Sequence, residues 1–272
     1  MNTKILFTDL DATLLDDNKT ISQRTHDKLE EMLAKGHKLV LASGRPINSI
    51  LKVLDKLDLK GEGIYATAYN GAMLYDCAQN APIIEHQVSI DVAQALFDKA
   101  NEYGLHIQTY TDDKIVSCSK DAEIAFYTEH VVMDYIVGTN LHKELQHGPY
   151  KLLTISLDDR AKLEAFREDI MNSELGNSLD TTFSNAYYLE FYCKESGKGN
   201  ALKALCKHLN IPLENSVAAG DEENDLCMIT AAGTGVAMCN GNPILKEQAD
   251  YVTQNDNNHD GMAEIIDKFI LA

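Results

Sequence analysis

Apolar residues fall into short unbroken runs that alternate with stretches where they recur every three or four positions. The first run, Lys4-Ile5-Leu6-Phe7-Thr8, stops abruptly at Asp9 and Asp11, and a second, Lys38-Leu39-Val40-Leu41-Ala42, stops at Ser43-Gly44-Arg45. Short runs without alternation predict strands buried on both faces. Between them, Leu29, Met32 and Leu33 form a helical stripe, opened by Ser22 as N-cap and closed by Gly36. Pro46 suits the first turn of a second helix, whose apolar face is Ile47, Ile50, Leu51 and Leu54. Strand, helix, strand, helix predicts a parallel sheet covered on both faces.

The pattern changes after Gly63. Ile64 to Tyr69 and Ala72 to Tyr75, joined by Asn70-Gly71, predict a hairpin with a two-residue turn. From Ser89 to about Tyr188, short helices mix with paired strands. His106 to Tyr110 and Lys114 to Cys118 form a second predicted hairpin through Asp112-Asp113, and a helix is expected from Arg160 to Met171. The parallel pattern then returns. A helix over Gly197 to Leu209 precedes a strand, Ser216 to Ala219, that ends at Gly220-Asp221; a helix over Asn224 to Ala232 precedes the strand Gly235 to Met238. The expected architecture is an α/β core, residues 1–86 and 190–272, interrupted by an α+β insert, residues 87–189.

Charge narrows the partners. Among 272 residues there are 24 Lys and Arg against 42 Asp and Glu, a formal net charge of −18. No basic stripe is present to neutralise nucleic-acid phosphates, and an anionic membrane surface would repel the chain. No segment approaches the ~20 apolar residues a membrane span requires, and the run before Asp9 is too short for a secretory leader. Six cysteines without a CxxC pair read as reduced thiols, so the expected location is cytoplasmic. The oligomeric state leaves no trace in the sequence.

The polar residues that end the apolar runs are where the chemistry gathers, because ligands in open α/β sheets bind outside the carboxyl ends of the strands. Asp9 and Asp11, two apart, project to one side of an extended backbone. Their mutual repulsion is relieved if a cation sits between them, and a hard cation such as magnesium takes carboxylates plus substrate phosphate. Asp221 and Asp225, with Asn224 beside them, are candidates to complete such a site. The alternative for each acid is helix capping or loop solvation. His259 reads as a surface loop residue, and the other eight histidines show no ligand spacing.

Taken together, Asp9-Leu10-Asp11-Ala12-Thr13-Leu14-Leu15, Ser43-Gly44-Arg45, Lys198 within Gly197-Lys198-Gly199, and Gly220-Asp221-Glu222-Glu223-Asn224-Asp225 resemble the four motifs of the haloacid dehalogenase-like phosphatases, in order. Asn70-Gly71-Ala72 and His259-Asp260-Gly261 are similar to features of the Cof-type sugar-phosphatase branch. The resemblance implies a Rossmann-like three-layer core, the insert serving as a cap that excludes water. It also implies magnesium-dependent hydrolysis of a small phosphorylated metabolite through an aspartyl-phosphate. On this resemblance Asp9 is the nucleophile, Asp11 the acid and base, and Lys198 the charge-offsetting cation. Ser43, Gly44, Arg45, Lys198 and Asn224 bind substrate, and Asp9, Asp11, Asp221, Asn224 and Asp225 surround the metal. Transfer to another acceptor by the same site, or non-catalytic binding of a phosphometabolite, are the alternatives. The chain departs from the family at Ala12, where glycine is usual; alanine enters positive φ less easily, so a local backbone adjustment is expected.

Overall fold

The computed structural model describes residues 2–111, 113–131 and 133–272. Met1, Asp112 and Val132 lie outside the described residues, so only Asp113 of the expected Asp112-Asp113 turn is described. The chain divides into two compact units, one running up to Glu85 and resuming at Ser196–Ala272, the other His86–Glu195.

The first unit begins with β1 (Ile5–Thr8), β2 (Lys38–Ala42), β3 (Ile64–Ala68), β4 (Met73–Asp76) and β5 (Ala81–Glu85). Helices Gln23–Ala34 and Ile47–Lys56 connect β1 to β2 and β2 to β3. Ser22 caps the first helix by accepting from the Thr25 N–H, and Gly36 follows its end at φ 84°. The β3–β4 turn is longer than the sequence predicts: Ala68 pairs with Met73, and Tyr69, Asn70 and Gly71 take φ of 52°, 56° and 90°. β5 was not expected. Its Ala-Pro-Ile-Ile-Glu is half exposed on the sheet edge, where neither a buried run nor clean alternation marks a strand.

The second unit contains β6 (His106–Tyr110), β7 (Lys114–Ser117), β8 (Asp134–Val137), β9 (Lys151–Ile155), β10 (Leu179–Phe183) and β11 (Tyr188–Cys193). Among the described residues they form one sheet in the order β10-β11-β9-β6-β7-β8. Helices Ile90–Glu102 and Arg160–Met171 bury Phe97, Leu163 and Phe166 with Phe191 in this unit's own core. The expected return to the core at residue 190 falls inside β11. That strand pairs with both β9 and β10, so it cannot leave their sheet, and the unit ends at Glu195.

Helix Lys198–His208 opens the second half of the first unit, followed by β12 (Ser216–Gly220), β13 (Thr234–Ala237) and β14 (Tyr251–Val252). The described strands of this unit form one sheet, β14-β13-β12-β1-β2-β3-β4-β5, parallel from β14 to β3 and antiparallel beyond. Register places Phe7 beside Val40 and Ala218, on the face that packs against Leu202, Leu205 and Met228. Leu6, Leu39 and Val217, one residue out of phase, line the opposite face. Both faces are therefore covered, which is why the strands read as unalternated apolar runs. No helix among the described residues is long and apolar enough to cross a membrane.

Candidate active site

Four adjacent strands, β12, β1, β2 and β3, end together, and each delivers a polar group at its carboxyl end. Asp221 follows β12, Asp9 follows β1, Ser43 follows β2 and Asn70 lies just beyond β3. The ladder runs one residue past two of these strands, since the Asp9 N–H donates to the Ala219 carbonyl and the Ser43 N–H to the Thr67 carbonyl, both at 2.9 Å. The functional side chains are thus fixed to the rigid sheet rather than to free loops.

Lys198, the first residue of its helix, is fully buried. Its Nζ donates to Asp9 Oδ1 at 2.6 Å and to Asp225 Oδ1 at 2.5 Å. The β3–β4 turn holds this helix start in place: the Gly197 N–H donates to the Asn70 carbonyl at 2.9 Å. Gly71 lies so close that a Cβ there would meet the Gly197 carbonyl carbon and oxygen at 2.4 Å. Asp225 is also fully buried, and its other oxygen accepts the Asp221 and Glu222 N–H groups at 2.9 and 3.1 Å. Both oxygens of Asp225 are therefore committed to positioning Lys198 and the turn after β12.

Asp9, Asp221 and Asp225 each bring one carboxylate oxygen within 4.8 Å of the others. Burial pushes Asp9 well above the usual carboxylate range; Lys198 pulls it down, but Asp225 and Asp221 add to the rise. Asp221 is pushed up to about 7, first by burial and then by Asp225, although the Thr13 hydroxyl donates to its Oδ1 at 2.7 Å. Burial alone would lower Lys198; Asp225 and Asp9 override it and keep the ammonium protonated. Three buried carboxylates against one ammonium leave negative charge uncompensated, and this fits a cation. Among the described residues Asp9 spends one oxygen on Lys198 and Asp221 one on Thr13, leaving a second oxygen on each for a hard ion.

Asp11 stands apart from this cluster. Arg45 grips it as a fork, Nε to Oδ2 at 3.0 Å and Nη2 to Oδ1 at 2.6 Å, while Lys19 Nζ reaches Oδ1 at 2.7 Å. Burial raises the Asp11 carboxyl, but Arg45 and Lys19 outweigh it and hold it below the usual range. The Ser43 hydroxyl accepts the Arg45 N–H at 3.2 Å across Gly44, and the Asn224 amide donates to Asn70 Oδ1 at 3.3 Å. Ala12 keeps a left-handed backbone at φ 56° instead of adjusting, its carbonyl held by Asn240 Nδ2 at 2.8 Å. Alanine there costs about 1 kcal/mol. His259 is on the surface against Asp256.

The Thr13 bond to Asp221, the Lys19 contact with Asp11 and the anchoring of Lys198 by Asn70 are not announced by the local sequence. Only the last left a signal, because Asn-Gly favours positive φ.

A family model described as haloacid dehalogenase-like hydrolase matches residues 6–266. "Putative phosphatase YxeH" of Bacillus subtilis is 30% identical, with 99% of each chain covered. The 5-amino-6-(5-phospho-D-ribitylamino)uracil phosphatase YcsE of the same species is 29% identical over 98% of this chain and 96% of its own. The solved structure of a haloacid dehalogenase-like hydrolase from Bacteroides thetaiotaomicron matches with a TM-score of 0.84 at 29% identity, over 98% of this chain and 99% of that one.

Proposed function

The chain belongs to the haloacid dehalogenase-like hydrolase family, and on that premise we propose that it is a magnesium-dependent phosphatase of small phosphomonoesters, of the Cof-type branch. The observation that carries this reading is the buried bridge from Asp9 through Lys198 to Asp225, set beside Asp221 at adjoining strand ends.

In this reading Asp9 attacks phosphorus and the ester oxygen leaves, giving an aspartyl-phosphate that water then hydrolyses. Lys198 pins one Asp9 oxygen, orients the other toward the phosphoryl group and offsets its charge. Ser43 donates its hydroxyl to a phosphoryl oxygen. Asp9 and Asp221 are the carboxylates that would hold magnesium, with Asp225 steadying them through Lys198 and the β12 turn. Magnesium supplies charge neutralisation of the phosphoryl oxygens when bound. Asp11 protonates the leaving oxygen and then takes a proton from water, which requires that substrate displace the Arg45 and Lys19 contacts that keep it ionised at rest. The second unit, His86–Glu195, is proposed as the cap that selects the substrate.

The test is a screen of metabolite phosphates and a generic aryl phosphate, with magnesium and with chelator. Turnover that chelation abolishes and magnesium restores is expected. Inactivity toward every phosphomonoester at saturating magnesium would overturn the reading.

A further inference from the structure

We propose that the second unit carries a metal site of a different chemical kind, in which His106, Cys118 and Asp121 bind a borderline-soft divalent cation such as Zn²⁺. One ligand atom from each of the three lies within 4.8 Å of the other two. They come from three fixed backbone positions. His106 opens β6, and Cys118 follows β7, its N–H donating to the Ile107 carbonyl at 2.9 Å. Asp121 is the N-cap of helix Ala122–His130, its Oδ1 accepting the Ile124 N–H at 3.0 Å.

The surroundings orient each ligand as metal sites require. His106 Nδ1 faces Asp121 Oδ2 at 2.9 Å, while its Nε2 is 3.1 Å from Gln108 Oε1, so the second ring nitrogen can donate to a fixed acceptor when the first is metallated. Cys118 Sγ accepts the Ile107 N–H at 3.2 Å and touches Ser119 Oγ at 3.4 Å. The Ser119 hydroxyl also donates to Asp121 Oδ2. The His106 side chain is 1% exposed and that of Asp121 29%, so the site opens to solvent on the carboxylate side. Imidazole, thiolate and carboxylate together suit Zn²⁺ or Co²⁺, whereas the all-oxygen set at Asp9 and Asp221 suits magnesium.

On binding, the cation displaces the Cys118 thiol proton and the proton shared between His106 Nδ1 and Asp121 Oδ2, and both are released to solvent.

The experiment titrates the full chain with Co²⁺ in excess Mg²⁺, which occupies oxygen-only sites. One equivalent should bind with a thiolate-to-cobalt charge-transfer absorption, and Zn²⁺ should bleach it. C118S should abolish the band. H106Q and D121N should weaken affinity at least about tenfold; D121N keeps a competent helix cap, so its fold is secure. Absence of the band from the wild-type chain, its survival in C118S, or unchanged affinity in all three variants would overturn the proposal. None of these outcomes bears on phosphatase turnover, so this site stands or falls independently of the proposed function.

Discussion

At the scale of single residues, the two carboxylates of the first motif have opposite environments. Asp9 is raised by burial and by acidic neighbours, whereas Asp11 is held down by a cationic fork. Removing that fork with R45A takes away the main lowering influence on Asp11, so its carboxyl rises. The limb of the kcat/KM pH profile that reports Asp11 as a proton donor should then move to higher pH, with kcat/KM itself falling about tenfold or more. Asp221 and Asp225 separate equally cleanly. D221N should weaken magnesium at least about tenfold while preserving the fold. D225N should leave magnesium affinity within a few-fold but cost about 3 kcal/mol in chemical denaturation, because it strips a buried, hydrogen-bonded partner from Lys198. Equal loss of metal affinity in both would contradict the division of labour. The sequence placed Asp225 among residues around the metal; its two backbone donors and its bond to a lysine 27 residues away are contacts that no local pattern announces.

At the scale of elements, what was legible is what apolar periodicity encodes. β1 and β2, the helix Gln23–Ala34 with its Ser22 cap, and the helix Arg160–Met171 all stand where the patterns put them. Edge and short elements were not legible: β5, β8 and helix Pro243–Gln248 bury too little apolar surface to leave a stripe or a run. The β3–β4 turn shows why a turn signal can be right and its geometry wrong. Asn70 and Gly71 do reverse the chain, but they do so in a longer loop pressed on the start of the Lys198 helix. G71A adds a Cβ into that contact at positive φ, and should cost about 3 kcal/mol and at least tenfold in kcat by shifting Lys198; a fully active, equally stable G71A would contradict this packing. A second element-level prediction concerns His37, buried before β2, whose Nδ1 accepts the Lys4 N–H at 3.0 Å. Burial, then Lys4 and Lys35, lower its pKa, so the folded state favours neutral imidazole. The stability is present above pH 6.5, the unfolded value, and is lost as pH falls below it. H37N keeps an acceptor without titrating, so wild type should lose more stability than H37N between pH 8 and pH 5.5. Equal losses would show that His37 does not contribute to the pH dependence of stability.

At the scale of the whole molecule, the charge of −18 is consistent with a site for anions because the sign is set locally. In the proposed site, Lys198 and a magnesium ion would act at contact distance, whereas surface acids are screened beyond ~8 Å at physiological ionic strength. The order of the four motifs already implied that two chain segments, 189 residues apart at Asp9 and Lys198, build one site. Which oxygens are spent and which remain for a metal became readable only in three dimensions. The proposed function rests on Asp9 as the nucleophile. It is tested most directly by kcat for aryl-phosphate hydrolysis at saturating magnesium in D9N, with the fold checked by circular dichroism. A loss of at least about a thousandfold with the native spectrum retained is expected. A D9N enzyme within tenfold of wild type would contradict it.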